Sequence, residues 1–172
     1  YPGFYSNLTS DGLKDSIKLE KKLNKIDIDI IFCSPFIRTI QTIYPYSFKN
    51  NKKINIEYAL HEYKHNPYFL IENEIYSIKD IKDKNLTTII NNNYKSKFSK
   101  NNFNIIFLEN EEHLQFRLNI FLRYLFNNQN LKNKTILLVS HKGVINRIKK
   151  TLGFDISMDN NFKMGSYEIF DF

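Results

Sequence analysis

The sequence predicts an α/β fold with a mostly parallel β-sheet. Short apolar runs rich in β-branched residues, typical of strands buried on both faces, occur at residues 28–32 and 135–139. Segments with apolar residues at helical spacing alternate with them, as in parallel α/β sheets. The 172 residues and a hydrophobic fraction of 42% suit one core. We therefore expect a single domain over residues 1–172.

The first predicted helix covers residues 13–23, where apolar side chains recur at helical spacing. Thr9, Ser10 or Asp11 precedes it and could cap it, because each carries an oxygen that accepts a hydrogen bond from a free backbone amide. The first predicted strand follows at residues 28–32.

The strand ends in a turn that leads into a second helix. Pro35 suits the first turn of a helix, where its missing amide costs nothing. We therefore predict a helix over residues 36–44, and we expect Pro45 to end it.

The middle of the chain predicts less regular structure. Residues 54–58 form a second strand candidate. Residues 63–99 are rich in Lys, Asn and Tyr, with a moderate helix signal at 78–81. We interpret this stretch as an excursion between core elements that could cover the site. Residues 103–108 fit either an extended segment or a loop.

The last third of the chain has the clearest periodicity. Residues 111–126 predict a helix, with apolar side chains at helical spacing. The strand at 135–139 leads to a second helix at 144–152, which Gly153 can end. Residues 167–172 predict a last strand.

Composition argues against several classes of protein. The net charge is +7, but the lysines are spread along the chain without a compact basic block, so we do not expect a nucleic-acid partner. A single cysteine, Cys33, excludes an internal disulfide, and its apolar surroundings predict burial. No apolar run approaches the roughly 18 residues of a membrane span. With no signal-peptide pattern at the start either, we expect a cytoplasmic protein without a membrane partner.

Polar residues stand directly after two predicted strands, where ligands bind in parallel sheets. Arg38 lies near the start of a helix, whose dipole disfavours a cation. A bound anion would explain this placement, and a solvent-facing arginine is the alternative. His141 follows the strand at 135–139 and either donates to a phosphate oxygen or forms a structural hydrogen bond.

A third polar group, His61 with Glu62, follows the strand candidate at 54–58. Together with His65 it could supply three metal ligands, but the spacing matches no standard zinc site. We therefore expect neither a metal nor a cofactor.

Five segments, taken in order, resemble the histidine phosphatase superfamily of phosphoglycerate mutase-like proteins. They are Leu8-Thr9-Ser10-Asp11-Gly12 (family pattern L-T-x-x-G), Cys33-Ser34-Pro35-Phe36-Ile37-Arg38-Thr39-Ile40-Gln41-Thr42 (S-S-P-x-x-R-x-x-Q-T), Leu60-His61-Glu62 (L-x-E), Glu111 through Arg117 (a helix with an inward Arg), and Leu138-Val139-Ser140-His141-Lys142-Gly143-Val144-Ile145 (V-x-S-H-G-G-x-I). The resemblance implies a three-layer fold, with helices on both faces of the sheet.

The resemblance also implies phosphoryl transfer through a phosphohistidine. Arg38 would bind phosphate bidentately, and His141 would hold another phosphate oxygen. Glu62 would protonate the leaving oxygen as general acid. Thr9 or Ser10 would line the entrance.

The chain departs from the family pattern in two places. The nucleophilic histidine of the family lies in an Arg-His-Gly turn before the first of these segments, and no Arg-His-Gly occurs here. We expect that turn and its strand to precede Tyr1 in a longer parent protein, so that this chain is N-terminally incomplete and inactive alone. Lys142 stands where the family usually has Gly.

The sequence therefore predicts a phosphomonoester hydrolase of the histidine phosphatase type. A phosphorylated small molecule or a phosphoprotein would be its substrate. We prefer a phosphatase to a mutase, because a mutase must keep water away from its intermediate. The alternative is a catalytically inactive domain of the same fold that binds phosphate or a partner.

Overall fold

A computed structural model describes residues 6–64, 81–98, 108–154 and 165–170. Three strands form its parallel sheet: β1 (Ile30–Cys33), β2 (Ile54–Ile56) and β3 (Ile136–Val139). Their order is β2-β1-β3, with Cys33 opposite both Ile56 and Val139. The α/β fold with a parallel sheet is thus confirmed.

Helices precede, separate and follow these strands. Within the described residues they are α1 (Ser10–Leu23), α2 (Ile37–Lys49), α3 (Lys84–Thr88), α4 (Glu111–Asn127) and α5 (Lys142–Thr151). Short 3₁₀ turns cover Tyr58–Leu60 and Gln129–Leu131. None of the helices in the described ranges is long and apolar enough to cross a bilayer.

The two faces of the sheet are covered by different helices. On one face Phe32 packs in a core with Phe121 of α4 and Val144 of α5. On the other face Ile31 and Cys33 pack in a second core that includes residues of α1 and α2. The three-layer arrangement is confirmed, and it explains why β1 is apolar without alternation: both faces are buried. Cys33 is completely buried, as predicted.

The first helix begins earlier than its apolar periodicity indicates, at Ser10. Thr9 is its N-cap, and the Thr9 hydroxyl accepts a hydrogen bond from the Gly12 amide at 3.1 Å. Of the three capping candidates, the structure therefore selects Thr9.

The prediction that Pro45 ends the second helix is wrong, because α2 continues to Lys49. A proline inside a helix costs about 3 kcal/mol. The residues that follow offset this cost by packing: Tyr46 lies on the same face as Ile43, and both are almost completely buried. Tertiary burial thus outweighs the local rule.

The prediction of a last strand at residues 167–172 is also wrong for residues 167–170, which the structure describes as irregular. Glu168 pairs with Lys149 of α5 at 2.8 Å, and the ring of Phe170 lies 4.4 Å from that of Phe154. These contacts hold the segment beside α5 instead of in the sheet. Residues 78–80 of the helix signal at 78–81 lie outside the described residues, as do residues 103–107 of the segment predicted at 103–108.

Candidate active site

The carboxyl ends of the three strands meet at one edge of the sheet. The Ser34 amide, just after β1, donates to the Val139 carbonyl of β3 at 2.8 Å. The Glu57 amide, just after β2, donates to the Cys33 carbonyl at 2.9 Å. The segments that leave the strands therefore start side by side, although they are far apart in the sequence.

Arg38 is the second residue of α2, in the first turn after β1. Its side chain is only 17% exposed, and its guanidinium lies over the ring of Phe36, 4.6 Å from the centroid. A cation is disfavoured at this end of a helix. The Glu62 carboxylate offsets this unfavourable interaction with the helix dipole, because its Oε2 atom lies 3.5 Å from Arg38 Nη2.

His141 is the N-cap residue of α5, directly after β3, and its side chain is 5% exposed. Ser34 contacts its Nε2 atom at 2.8 Å, and the ring of Phe36 packs edge-on against the imidazole with centroids 5.0 Å apart. The other nitrogen, Nδ1, lies 3.1 Å from Glu62 Oε2 and 3.5 Å from Arg38 Nη2. Two residues of the β1 exit thus orient the imidazole.

The hydrogen positions on His141 follow from these partners. Glu62, when ionised, can only accept, so the facing Nδ1 carries the hydrogen. In the neutral ring Nε2 is then an acceptor, and the Ser34 hydroxyl donates to it. Burial lowers the pKa of His141 below its ordinary value, and the Glu62 carboxylate offsets this only in part. The result is a neutral ring with one N–H directed at the site.

Glu62 lies in the loop after the 3₁₀ turn, and its side chain is 29% exposed. Burial alone would raise the pKa of Glu62. The interaction with His141, through its hydrogen bond above all, and the charge of Arg38 outweigh burial, so the pKa of Glu62 lies below its ordinary value. Glu62 is therefore ionised at neutral pH. We call Arg38 and His141 the cradle, and in this arrangement the Glu62 carboxylate is the anion that both contact.

The other sequence candidates lie elsewhere or are unplaced. The hydroxyl of Thr9 caps α1, and none of its described polar contacts involves the cradle. Lys142, at the start of α5, is exposed. His61 is buried with its Nδ1 2.6 Å from the Glu62 carbonyl, and His65 lies outside the described residues. In the described part of the chain no three His, Cys, Asp or Glu side chains form a group that could hold a metal ion.

Sequence reasoning assigned no role to Ser34, although the residue stood inside the quoted motif. The structure places its hydroxyl against His141, 107 residues away. Its position directly after the strand and before Pro35 was the available signal, because a hydroxyl there must lie at the ligand edge of the sheet.

Two solved structures share this fold. One is the ecdysone phosphate phosphatase of Bombyx mori in complex with tungstate: identity is 14%, the TM-score is 0.63, and the match covers 96% of this chain and 65% of that one. The other is a proposed alpha-ribazole-5'-P phosphatase from Escherichia coli K-12, at 20% identity and a TM-score of 0.57, covering 92% of this chain and 73% of that one. The chain thus spans just under two thirds of the Bombyx protein.

No curated protein matches the chain in a sequence comparison. A family model does match, and it spans residues 5–170, nearly the whole length. The match includes the segments that carry Arg38, Glu62 and His141, which the fold brings to one edge of the sheet. The chain therefore belongs to the histidine phosphatase superfamily (branch 1).

Proposed function

We propose that the domain is a phosphomonoester hydrolase that acts through a phosphohistidine. One observation carries the proposal: Arg38, His141 and Glu62 come from three separate segments, and their polar atoms lie within 3.5 Å of one another. Family membership and two fold relatives named as phosphatases support the same reaction class.

Each group suits a part of phosphoryl transfer. The reaction demands cationic donors around the equatorial oxygens more than covalent chemistry. The guanidinium of Arg38 can donate two parallel hydrogen bonds to a phosphate, and the Nδ1–H of His141 can donate a third. Glu62, once it has gained a proton, lies close enough to give it to the leaving oxygen.

None of the four histidines in this sequence lies in the motif that carries the nucleophile of the family. The chain contains no Arg-His-Gly turn. His61 is no substitute, because its ring is completely buried and its Nδ1 contacts the Glu62 carbonyl. We therefore propose that this chain binds phosphate but does not hydrolyse esters alone.

The proposed substrates are phosphorylated small molecules or phosphoproteins. The two fold relatives are named for phosphate esters of small organic molecules, which favours the first class. The alternative function is a phosphate- or partner-binding domain without catalysis, and the missing Arg-His-Gly favours it.

Calorimetric titration with inorganic phosphate tests the cradle. Each of Arg38→Ala and His141→Ala removes a donor worth about 1.5–3 kcal/mol, so we expect affinity to fall about tenfold or more. Arg147→Ala is the matched control, because Arg147 is 18% exposed and paired with Glu111, much as Arg38 is paired with Glu62. Equal affinity in all four proteins would refute the cradle.

Hydrolysis of p-nitrophenyl phosphate separates the two functions. A parent chain that supplies Arg-His-Gly upstream should hydrolyse the ester, and should lose activity when that histidine is replaced by alanine. A parent chain that binds phosphate but shows no turnover would favour the binding module.

A further inference from the structure

The loop that carries Glu62 is held by a buried ion pair. Arg117 of α4 and Glu109, just before that helix, are both completely buried at their side chains. Arg117 Nε lies 2.7 Å from Glu109 Oε1, and Nη2 lies 3.0 Å from Oε2. This is a bidentate pair, the geometry that fixes both partners most firmly.

The pair contacts the Glu62 loop through its backbone on both sides. Arg117 donates to the Ala59 carbonyl and, from Nη2, to the Glu62 carbonyl at 3.5 Å. Glu109 Oε2 accepts from the Lys64 amide at 3.0 Å, and the Glu109 amide donates to the Lys64 carbonyl at 2.7 Å. The backbone is thus fixed before, at and after Glu62, while its carboxylate is left to face the cradle.

A buried ion pair is weak evidence for stability, because desolvation cancels much of its attraction and apolar replacements often do as well. The placement of this pair suggests another use. We propose that Arg117 and Glu109 are positioning residues that hold Glu62 against Arg38 and His141. This inference rests on the proposed function of the cradle.

The charges around the loop agree with that role. Burial, reinforced by Arg117 and Lys64, lowers the pKa of His61 well below its ordinary value, so this ring is neutral. Burial also lowers the pKa of Lys64 to about 8. Arg117 is nevertheless the side chain that forms hydrogen bonds with the Glu109 carboxylate, and the Glu62 carboxylate faces the cradle.

A double-mutant cycle tests the inference through phosphate affinity. An anion entering the cradle competes with the Glu62 carboxylate, so Glu62→Gln should tighten phosphate binding about tenfold, the equivalent of one charge-assisted hydrogen bond. Arg117→Lys keeps the charge but cannot reproduce the fork. In that background Glu62 is no longer held in place, and the gain should shrink to less than about threefold.

Arg123→Lys is the matched control, because Arg123 lies on the same helix but is exposed. In the Arg123→Lys background, Glu62→Gln should still tighten phosphate binding about tenfold. A tenfold gain that persists in Arg117→Lys as well would overturn the inference, because a merely structural pair lowers stability without changing this ratio. No gain from Glu62→Gln in the wild-type background would overturn it too. If Arg117→Lys does not fold, Glu109→Gln replaces it in the same cycle.

A ligand-free measurement separates this inference from the proposed function. Proton NMR titration of the imidazoles reports His141, which His141→Asn assigns among the four histidines. Glu62 supports the pKa of His141, so Arg117→Lys should lower that pKa towards the value in Glu62→Gln. An unchanged His141 titration in Arg117→Lys contradicts positioning even if phosphate binds. If the wild-type chain does not bind phosphate, the proposed function is refuted, but the titration of His141 still tests whether Arg117 positions Glu62.

Discussion

Replacing Glu62 by glutamine removes the carboxylate that contacts both side chains of the cradle. Glu62 Oε2 lies 3.1 Å from His141 Nδ1 and 3.5 Å from Arg38 Nη2. A phosphate that takes its place must either protonate Glu62 or turn it aside. Protonation near pH 7 costs at least about 3 kcal/mol, because the pKa of Glu62 lies below its ordinary 4.5.

Turning Glu62 aside is the cheaper route. It forfeits one charge-assisted interaction, worth about 1.5–3 kcal/mol, and the lower end applies because the carboxylate is 29% exposed and screened by solvent. About 1.4 kcal/mol corresponds to tenfold in affinity. Glu62→Gln should therefore bind phosphate about tenfold more tightly.

The assay is calorimetric titration of phosphate and of sulfate, which stays a dianion while the protein is titrated. Lowering the pH protonates His141 and Glu62, and both changes favour an anion. Sulfate affinity should thus rise as pH falls, with the smaller rise in Glu62→Gln because only His141 still titrates. Glu20→Gln is the control, since Glu20 pairs with Lys49 on another surface. Equal or weaker binding by Glu62→Gln would refute the reasoning.

Three further predictions follow from buried groups. Ser34→Ala leaves Nε2 of the buried His141 without its donor and should lower the free energy of unfolding in urea by about 1–3 kcal/mol. Ser47→Ala is the control and should leave that free energy unchanged, because the buried Ser47 hydroxyl has no partner among the described residues. Equal losses of stability in the two variants would contradict the contact between Ser34 and His141. The pKa of Lys64 is lowered from 10.5 to about 8, so the unfolded chain binds more protons between these values and this group's contribution to stability rises with pH there. Lys64→Met should accordingly be up to about 3 kcal/mol more stable than wild type near pH 7, and the difference should vanish above about pH 10.5. Coincident urea unfolding curves of the two proteins at neutral pH would contradict this prediction. Burial raises the pKa of the Cys33 thiol to about 12, so a thiol reagent should label the protein only after unfolding, and labelling of the native protein at the rate of a free thiol would show the burial to be wrong.

The strand exits were predictable from sequence because they depend on local patterns. A short apolar run followed by a polar turn identifies the end of a buried strand, and in parallel sheets all such ends lie at one edge. That reasoning predicted that Arg38 and His141 would meet, and the structure places them 3.5 Å apart. Their roles in binding phosphate stay predictions.

Two elements were mispredicted because tertiary contacts outweighed local preference. Pro45 would end an isolated helix, but the burial of Tyr46 carries α2 onward. Residues 167–170 have strand-like composition, yet the pair between Glu168 and Lys149 holds them beside α5. Neither partner can be read from the segment itself.

The support of Glu62 was predictable only in part. Arg117 falls on the apolar face of α4, between Leu114 and Phe121, and a cation there must have a buried partner. That signal was readable from the sequence. The partner Glu109 and the four backbone contacts on the Glu62 loop depend on how the chain folds back, which periodicity does not encode.

Glu62 also bears on the choice between an enzyme and a binding module. A domain selected only to hold phosphate would do better without a carboxylate that contacts both donors and competes with the ligand. A hydrolase needs an acid near the leaving oxygen, and the phosphate itself helps to supply its proton, because a dianion beside Glu62 raises the pKa of that carboxyl. The buried pair of Arg117 and Glu109 holds Glu62 in its competing position at a desolvation cost. An enzyme can tolerate weaker phosphate binding if the same carboxylate is positioned to act as its general acid, whereas a binding module gains nothing from it. This arrangement therefore favours the phosphatase.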